Sequence, residues 1–175
     1  HSLPGVDLLE GDHPLRGGLI GTYGNRWANR LLHEADLLLV LGSRLDIRQT
    51  GKDVDSFRKG KRIVHVDVEA GELGNRVPSD LPIHGDLRPF LEGLLERTGS
   101  DREDPWAPWR RRLADLRRLW PDAEEFEVRG GVHPNRFLQA LGRSGGDAAA
   151  FVTDVGQNQI WAAQSLVLKK GQRVL

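Results

Sequence analysis

Three short apolar runs, each ending in a polar turn and separated from the next by a helical or turn-rich stretch, constrain this chain more than any other feature. Leu37 to Leu41 form the run in "ADLLLVLGSRLD". Ile63, Val64, Val66 and Val68 form the one in "KRIVHVDVE", and "LPIHGD" holds a third, shorter one. Runs of this length read as buried strands, and strands that alternate with helical patterns are the signature of βα units on a parallel sheet. The helical patterns are amphipathic. "NRWANRLLHEA" sets Trp27, Leu31 and Ala35 on one stripe with Ala28 and Leu32 beside it, and "LRPFLEGLLER" does the same with Leu87, Phe90, Leu91, Leu94 and Leu95. Residues 1–97 are therefore expected to form an α/β, Rossmann-like domain with a parallel sheet.

The rhythm breaks at "TGSDREDPWAPW", residues 98–109, where Gly, Ser, Pro and charged side chains accumulate. We read 98–130 as an interdomain linker. It holds a basic helix, "WAPWRRRLADLRRLW", with Trp109, Leu113, Leu116 and Trp120 at helical spacing and five arginines on the remaining surface. From residue 131 a second α/β domain is expected to begin. "HPNRFLQALGR" starts a helix at Pro134, a favoured first-turn position, and "AAAFVTD" gives a strand that feeds "VGQNQIWAAQ".

Charge nominates no macromolecular partner, because 25 basic side chains balance 25 acidic ones. Nucleic acid and anionic membrane surfaces are not expected partners. The longest apolar run is far short of the ~20 residues of a membrane helix. The absence of Cys excludes disulfides, thiolate metal sites and a cysteine nucleophile, and fits a cytoplasmic protein. None of the six histidines shows His-x-His or His-x-x-x-His spacing, so His13, His65 and His84 read as packing or capping residues. There is also no Met, so the sequence is expected to be part of a longer chain.

In a parallel α/β sheet, ligands gather where the strands end and helix N-termini present free N–H groups. After Leu41 comes "GSRLDIRQTGK", in which Gly42 allows close approach and Arg44 and Arg48 can hold a diphosphate. Asp67 and Glu69 follow Val66, and an acid at a strand end suits ribose hydroxyls. Gly85 and Asp86 follow Ile83, and "GLIGTYGN" places Gly21 and Gly24 before a helix. Each signal alone is ordinary turn chemistry; in series they point to a nucleotide.

The ordered set "GTYGNRWAN", "ADLLLVLGSRLDIRQTGK", "RIVHVDVEAGELG", "IHGD" and "TDVGQNQIWAAQ" resembles the thiamine-diphosphate-dependent enzymes of the acetolactate synthase type, over essentially the whole chain. By this resemblance residues 1–97 correspond to the later half of the family's central domain, and residues 131–175 to the start of its diphosphate-binding domain. Val155, Gly156, Gln157 and Asn158 would lie along the phosphates of thiamine diphosphate. Family members usually read Gly-Gln-His-Gln here; this chain reads Gly-Gln-Asn-Gln, and Asn158 still offers an amide donor. Thr22, Tyr23, Gly24, Asn25, Arg44, Asp46, Arg48, Asp67 and Asp86 would contact FAD, a structural cofactor in this family; relatives hold ADP or nothing there.

The resemblance implies a carboligase that decarboxylates a 2-keto acid and transfers the two-carbon unit to a second keto acid. A sibling decarboxylase or carboligase and a non-catalytic nucleotide-binding module are the alternatives. It also implies Mg2+ at the diphosphate and a homodimer or tetramer. The catalytic glutamate of the family's first domain and its magnesium motif have no counterpart here, so this stretch alone is expected to be inactive.

Overall fold

A computed structural model of the chain describes residues 1–98, 105–124 and 130–175. They gather into two compact units, one of His33–Trp106 and one of His1–Leu32 together with Ala107–Leu175. Of the expected linker, residues 99–104 and 125–129 lie outside the described residues.

In the unit His33–Trp106, strands β1 (Leu37–Leu41), β2 (Arg62–Asp67) and β3 (Leu81–His84) lie side by side in that order, all parallel. The register sets Val40 beside His65 and Val66 beside Ile83. Central β2 is covered on both faces, which is why its middle is mostly apolar: Ile63 and Val66 are both 0% exposed, and His65 and Asp67 are buried with them. On one face Val40 and Ile63 pack with Leu45 and Val77, and Leu38, Val54 and Phe57 close the cluster. Two short helices cross between β1 and β2. In α2 (Ile47–Thr50) the Asp46 carboxylate accepts from the Arg48 and Gln49 amides, and in α3 (Val54–Arg58) Asp53 accepts from Ser56. Helix α4 (Leu87–Thr98) leaves β3 directly, and its stripe of Leu91, Leu94 and Leu95 is exposed, as are Leu37, Leu39 and Leu81 of the sheet.

The other unit holds most of α1 (Arg26–Glu34), α5 (Ala107–Leu119), α6 (Pro134–Ser144) and α7 (Gln157–Ser165), with a short parallel ladder of β4 (Ala150–Phe151) and β5 (Arg173–Val174). The arginine-rich α5 buries Leu113 and Leu116 against Trp27 and Ala28, with Ile20, Leu31 and Trp120 around them. Its basic face is partly turned to the protein itself: Arg117 sits 5.1 Å from the centre of the Trp27 ring, and Arg118 pairs with Asp115 at 2.8 Å. A second cluster packs Ala162, Leu166 and Leu168 against Leu138, Phe151 and Val174, fixing α7 on the β4–β5 ladder and α6.

Candidate cofactor-binding site

The loop after β1 is more ordered than its polar sequence suggests. Gly42 continues the ladder by donating its N–H to the Val66 carbonyl at 2.9 Å, then turns with φ of 57°. Leu45 also takes a left-handed conformation, φ 51°, a cost of about 1 kcal/mol for a side chain with a Cβ; its burial among Val40, Ile63 and Val77 offsets that cost. Holding Leu45 inward leaves Arg44 outward. Arg44 and Arg48 are both exposed, and neither guanidinium has a partner among the described residues. Asp46 commits Oδ1 to capping α2, at 2.7 Å from the Arg48 amide.

At the end of β2, Asp67 is only 6% exposed and accepts from the Glu69 amide at 2.9 Å. After β3, Asp86 is exposed and its Oδ1 accepts from the Arg88 amide at 2.7 Å, capping α4. Arg44, Asp46, Arg48, Asp67 and Asp86 thus all stand on segments that leave the carboxyl ends of one three-stranded sheet. Arg76, which nothing in the sequence singled out, braces the far side of the first loop. Its guanidinium donates to the Gly51 carbonyl at 2.6 Å and to Thr50 Oγ1 at 3.2 Å. Its partners lie 25 residues away, so no local pattern could have named it.

In the other unit the loop Thr22–Asn25 is held from below by two asparagines. Asn29 accepts from the Gly21 amide and donates to the Gly21 carbonyl, both at 2.8 Å. Asn25 is 3% exposed. Its Oδ1 accepts from the Leu19 amide at 2.7 Å, and its Nδ2 donates to Asp122 Oδ1 at 2.7 Å and to the Gln164 carbonyl at 3.2 Å. The side chain of Asn25 is therefore engaged within the protein, whereas Thr22 and Tyr23 are exposed at the tip. Gly24 lies so close to the chain that a Cβ there would come within 2.4 Å of the Leu19 carbonyl oxygen.

Val155, Gly156, Gln157 and Asn158 form the exposed entry to α7. No side chain caps this nine-residue helix from Gly156, and Asn158 turns its Oδ1 onto the Gln159 amide at 2.8 Å, leaving its NH2 as a donor. Gln164, the penultimate residue of α7 and one the sequence did not single out, donates to the Tyr23 carbonyl at 2.8 Å. It brings helix α7 and the Thr22–Asn25 loop into one polar network.

These donor sets suit anionic cofactors. The N-terminus of α7, where Asn158 takes only the Gln159 amide, offers its remaining amides and a positive dipole end to a diphosphate, and two arginines at strand ends, unpaired among the described residues, offer charge to another. Asp46, Asp67 and Asp86 each keep a second carboxylate oxygen for a hydroxyl donor. Among the described residues no group of three or more His, Asp or Glu side chains is placed to hold a metal ion, and no helix is long and apolar enough to cross a membrane. His13 accepts from the Leu15 amide at 3.1 Å and His84 contacts the Val68 carbonyl at 3.0 Å, in keeping with capping and packing roles.

Residues 1–94 match the family model described as thiamine pyrophosphate enzyme, central domain. The chain is 34% identical over 174 residues to the acetolactate synthase isozyme 1 large subunit of Escherichia coli (strain K12), a match that covers 99% of this chain and 30% of that protein. It is 33% identical over 172 residues to a probable acetolactate synthase large subunit of Methanocaldococcus jannaschii, covering 93% of this chain and 28% of that protein. It is also 33% identical over 160 residues to an acetolactate synthase large subunit of Corynebacterium glutamicum, covering 90% and 25%. The chain thus spans less than a third of the length of these curated relatives.

Proposed function

We propose, because the chain belongs to the thiamine pyrophosphate enzyme family, that the protein carrying it is an acetolactate synthase-like carboligase. It decarboxylates a 2-keto acid and joins the two-carbon unit to a second keto acid. The observation that carries this reading is the 34% identity maintained over 99% of the chain, a span that takes in both the strand-end loops and helix α7.

Thiamine diphosphate, when bound, supplies the carbon chemistry, and the protein supplies position and electrostatics. Val155, Gly156, Gln157 and Asn158 are assigned to the diphosphate, through backbone donors at the start of α7 and the Asn158 amide. Mg2+ would neutralise the diphosphate further; no described side chain is assigned to it. In the unit His33–Trp106, Arg44 and Arg48 are assigned to the diphosphate of FAD, Asp67 to its ribose hydroxyls, and Asp46 and Asp86 to the remaining polar contacts. Of the other loop, Thr22 and Tyr23 face outward as ligand contacts, with Gly24 and Asn25 shaping the turn. We read residues 1–97 as central domain, 98–130 as connection and 131–175 as the opening of the diphosphate-binding domain, in a cytoplasmic homodimer or tetramer.

A sibling enzyme with a different acyl donor is the second reading, favoured by Asn158 where acetolactate synthases usually carry His. The test is thermal unfolding of the full-length protein with thiamine diphosphate and magnesium. Binding to the native state alone raises the midpoint as ligand exceeds Kd, and an unchanged midpoint at millimolar cofactor would contradict both readings.

A further inference from the structure

The unit formed by His1–Leu32 and Ala107–Leu175 carries a cleft, open to solvent, of about 590 Å³, within the size range of small-molecule sites. Its wall includes Gln164 to Lys170, at the C-terminal end of α7. The assigned diphosphate segment lies at the other end of that helix, roughly 12 Å away at 1.5 Å per residue. Five basic side chains line the cleft: Arg16, Arg117, Arg143, Lys169 and Lys170. Three acids face them. Of these Asp122 already accepts from Asn25 Nδ2 at 2.7 Å and Trp27 Nε1 at 3.2 Å, while Glu10 and Asp12 are exposed.

Arg16 is the unusual member. It is 6% exposed, and Nη1 donates to the Val6 and Leu9 carbonyls at 2.6 and 2.7 Å, yet no carboxylate pairs with it among the described residues. Burial, and then the charge of Arg117, lower its pKa, with Asp7 offsetting part of that. A buried cation is ordinarily paired, and here a second guanidinium repels it instead. An anion in the cleft relieves both the missing partner and the repulsion.

We propose that this cleft is a binding site for a small polyanion bearing phosphate or carboxylate groups, with Arg16 and Arg117 as its principal ligands and Lys169 and Lys170 as its exposed contacts. Arginine's planar fork matches either headgroup. The site is separate from the carboligase reading and stands or falls without it.

The test is calorimetric titration of the full-length protein, saturated with thiamine diphosphate and magnesium, with inorganic phosphate and separately with citrate at constant ionic strength. Saturable binding of one of them is expected; phosphate identifies a phosphoryl ligand, citrate a polycarboxylate, and either supports the site. Arg117→Gln should weaken binding at least tenfold, and the double variant Lys169→Gln, Lys170→Gln a few-fold, while Arg62→Gln in the other unit leaves it unchanged. Because Arg16 also braces two carbonyls, Arg117 and the lysines carry the test. No saturable binding of either anion, or unaltered affinity in both Arg117→Gln and the double lysine variant, overturns the proposal.

Discussion

Gln164 Nε2 donates to the Tyr23 carbonyl at 2.8 Å, joining helix α7 to a loop 141 residues earlier in the chain. The same glutamine accepts from Asn135 Nδ2 at 3.0 Å, and its own carbonyl receives Asn25 Nδ2 at 3.2 Å. Three helices or their leading loops therefore meet on one side chain and its backbone. The position of α7, and with it the amides at its N-terminus, depends on this network.

Replacing Gln164 separates its two roles. Gln164→Glu keeps an acceptor for Asn135 but cannot donate to the Tyr23 carbonyl, and should cost about 1 kcal/mol of unfolding free energy; Gln164→Ala loses both bonds and should cost more, ~2 kcal/mol. Denaturant unfolding of the full-length protein measures both. Equal stability of Gln164→Glu and the parent would show that the Tyr23 bond contributes nothing.

Gly24 offers a sharper packing test. A methyl group there meets the Leu19 oxygen at 2.4 Å and the Ile20 carbonyl carbon at 2.6 Å, and both are backbone atoms that cannot swing aside. Gly24→Ala should destabilise by about 2–3 kcal/mol, where an Ala at open Gly71 should change little. Indistinguishable midpoints for the two variants would mean that the turn relaxes freely.

Residues whose roles are local were legible in the sequence. The pattern of Ile63, Val64 and Val66 announced β2 because a strand buried on both faces is largely apolar, and the apolar run Leu37 to Leu41 announced β1 although Leu37, Leu39 and Leu41 are exposed. Pro134 marked the start of α6. What escaped was short or non-local. Helices α2 and α3 have four and five residues, too few to show a period, and rest on the caps Asp46 and Asp53. Strand β5 has two residues and exists only through its pairing with β4. Asn25 illustrates the same limit in the site: beside Gly24 it reads as a ligand contact, yet its partners are Leu19, Asp122 and Gln164, two of them about a hundred residues or more away.

Asp7 should govern part of the response to acid. Burial by itself raises its pKa, but the hydrogen bonds from Arg173 Nε at 2.6 Å and the Val174 amide at 3.1 Å, with the arginine's charge, bring it below the ordinary value of 3.8. A carboxyl depressed in the folded state contributes stability above its unfolded pKa and loses it as pH falls through the folded one. Stability should therefore decline below about pH 4, and Asp7→Asn should flatten that decline while lowering stability at pH 7 by about 1–2 kcal/mol. An acid limb unaltered in Asp7→Asn would show that Asp7 does not govern the loss of stability in acid.

Arg44 tests the strand-end assignment. Its guanidinium is exposed and without a partner among the described residues, so Arg44→Ala should leave unfolding within about 0.5 kcal/mol of the parent. The same change should reduce flavin retention by about 2 kcal/mol in binding free energy, read from the flavin absorbance of the purified full-length protein. Undiminished flavin content in the variant would displace Arg44 from that role.

Carboligation on thiamine diphosphate is tested most directly by measuring the acetolactate that the full-length protein forms from pyruvate, with and without thiamine diphosphate and magnesium. Acetolactate is expected to form only when both are added. Absence of acetolactate from a folded protein supplied with thiamine diphosphate, magnesium and FAD would contradict it.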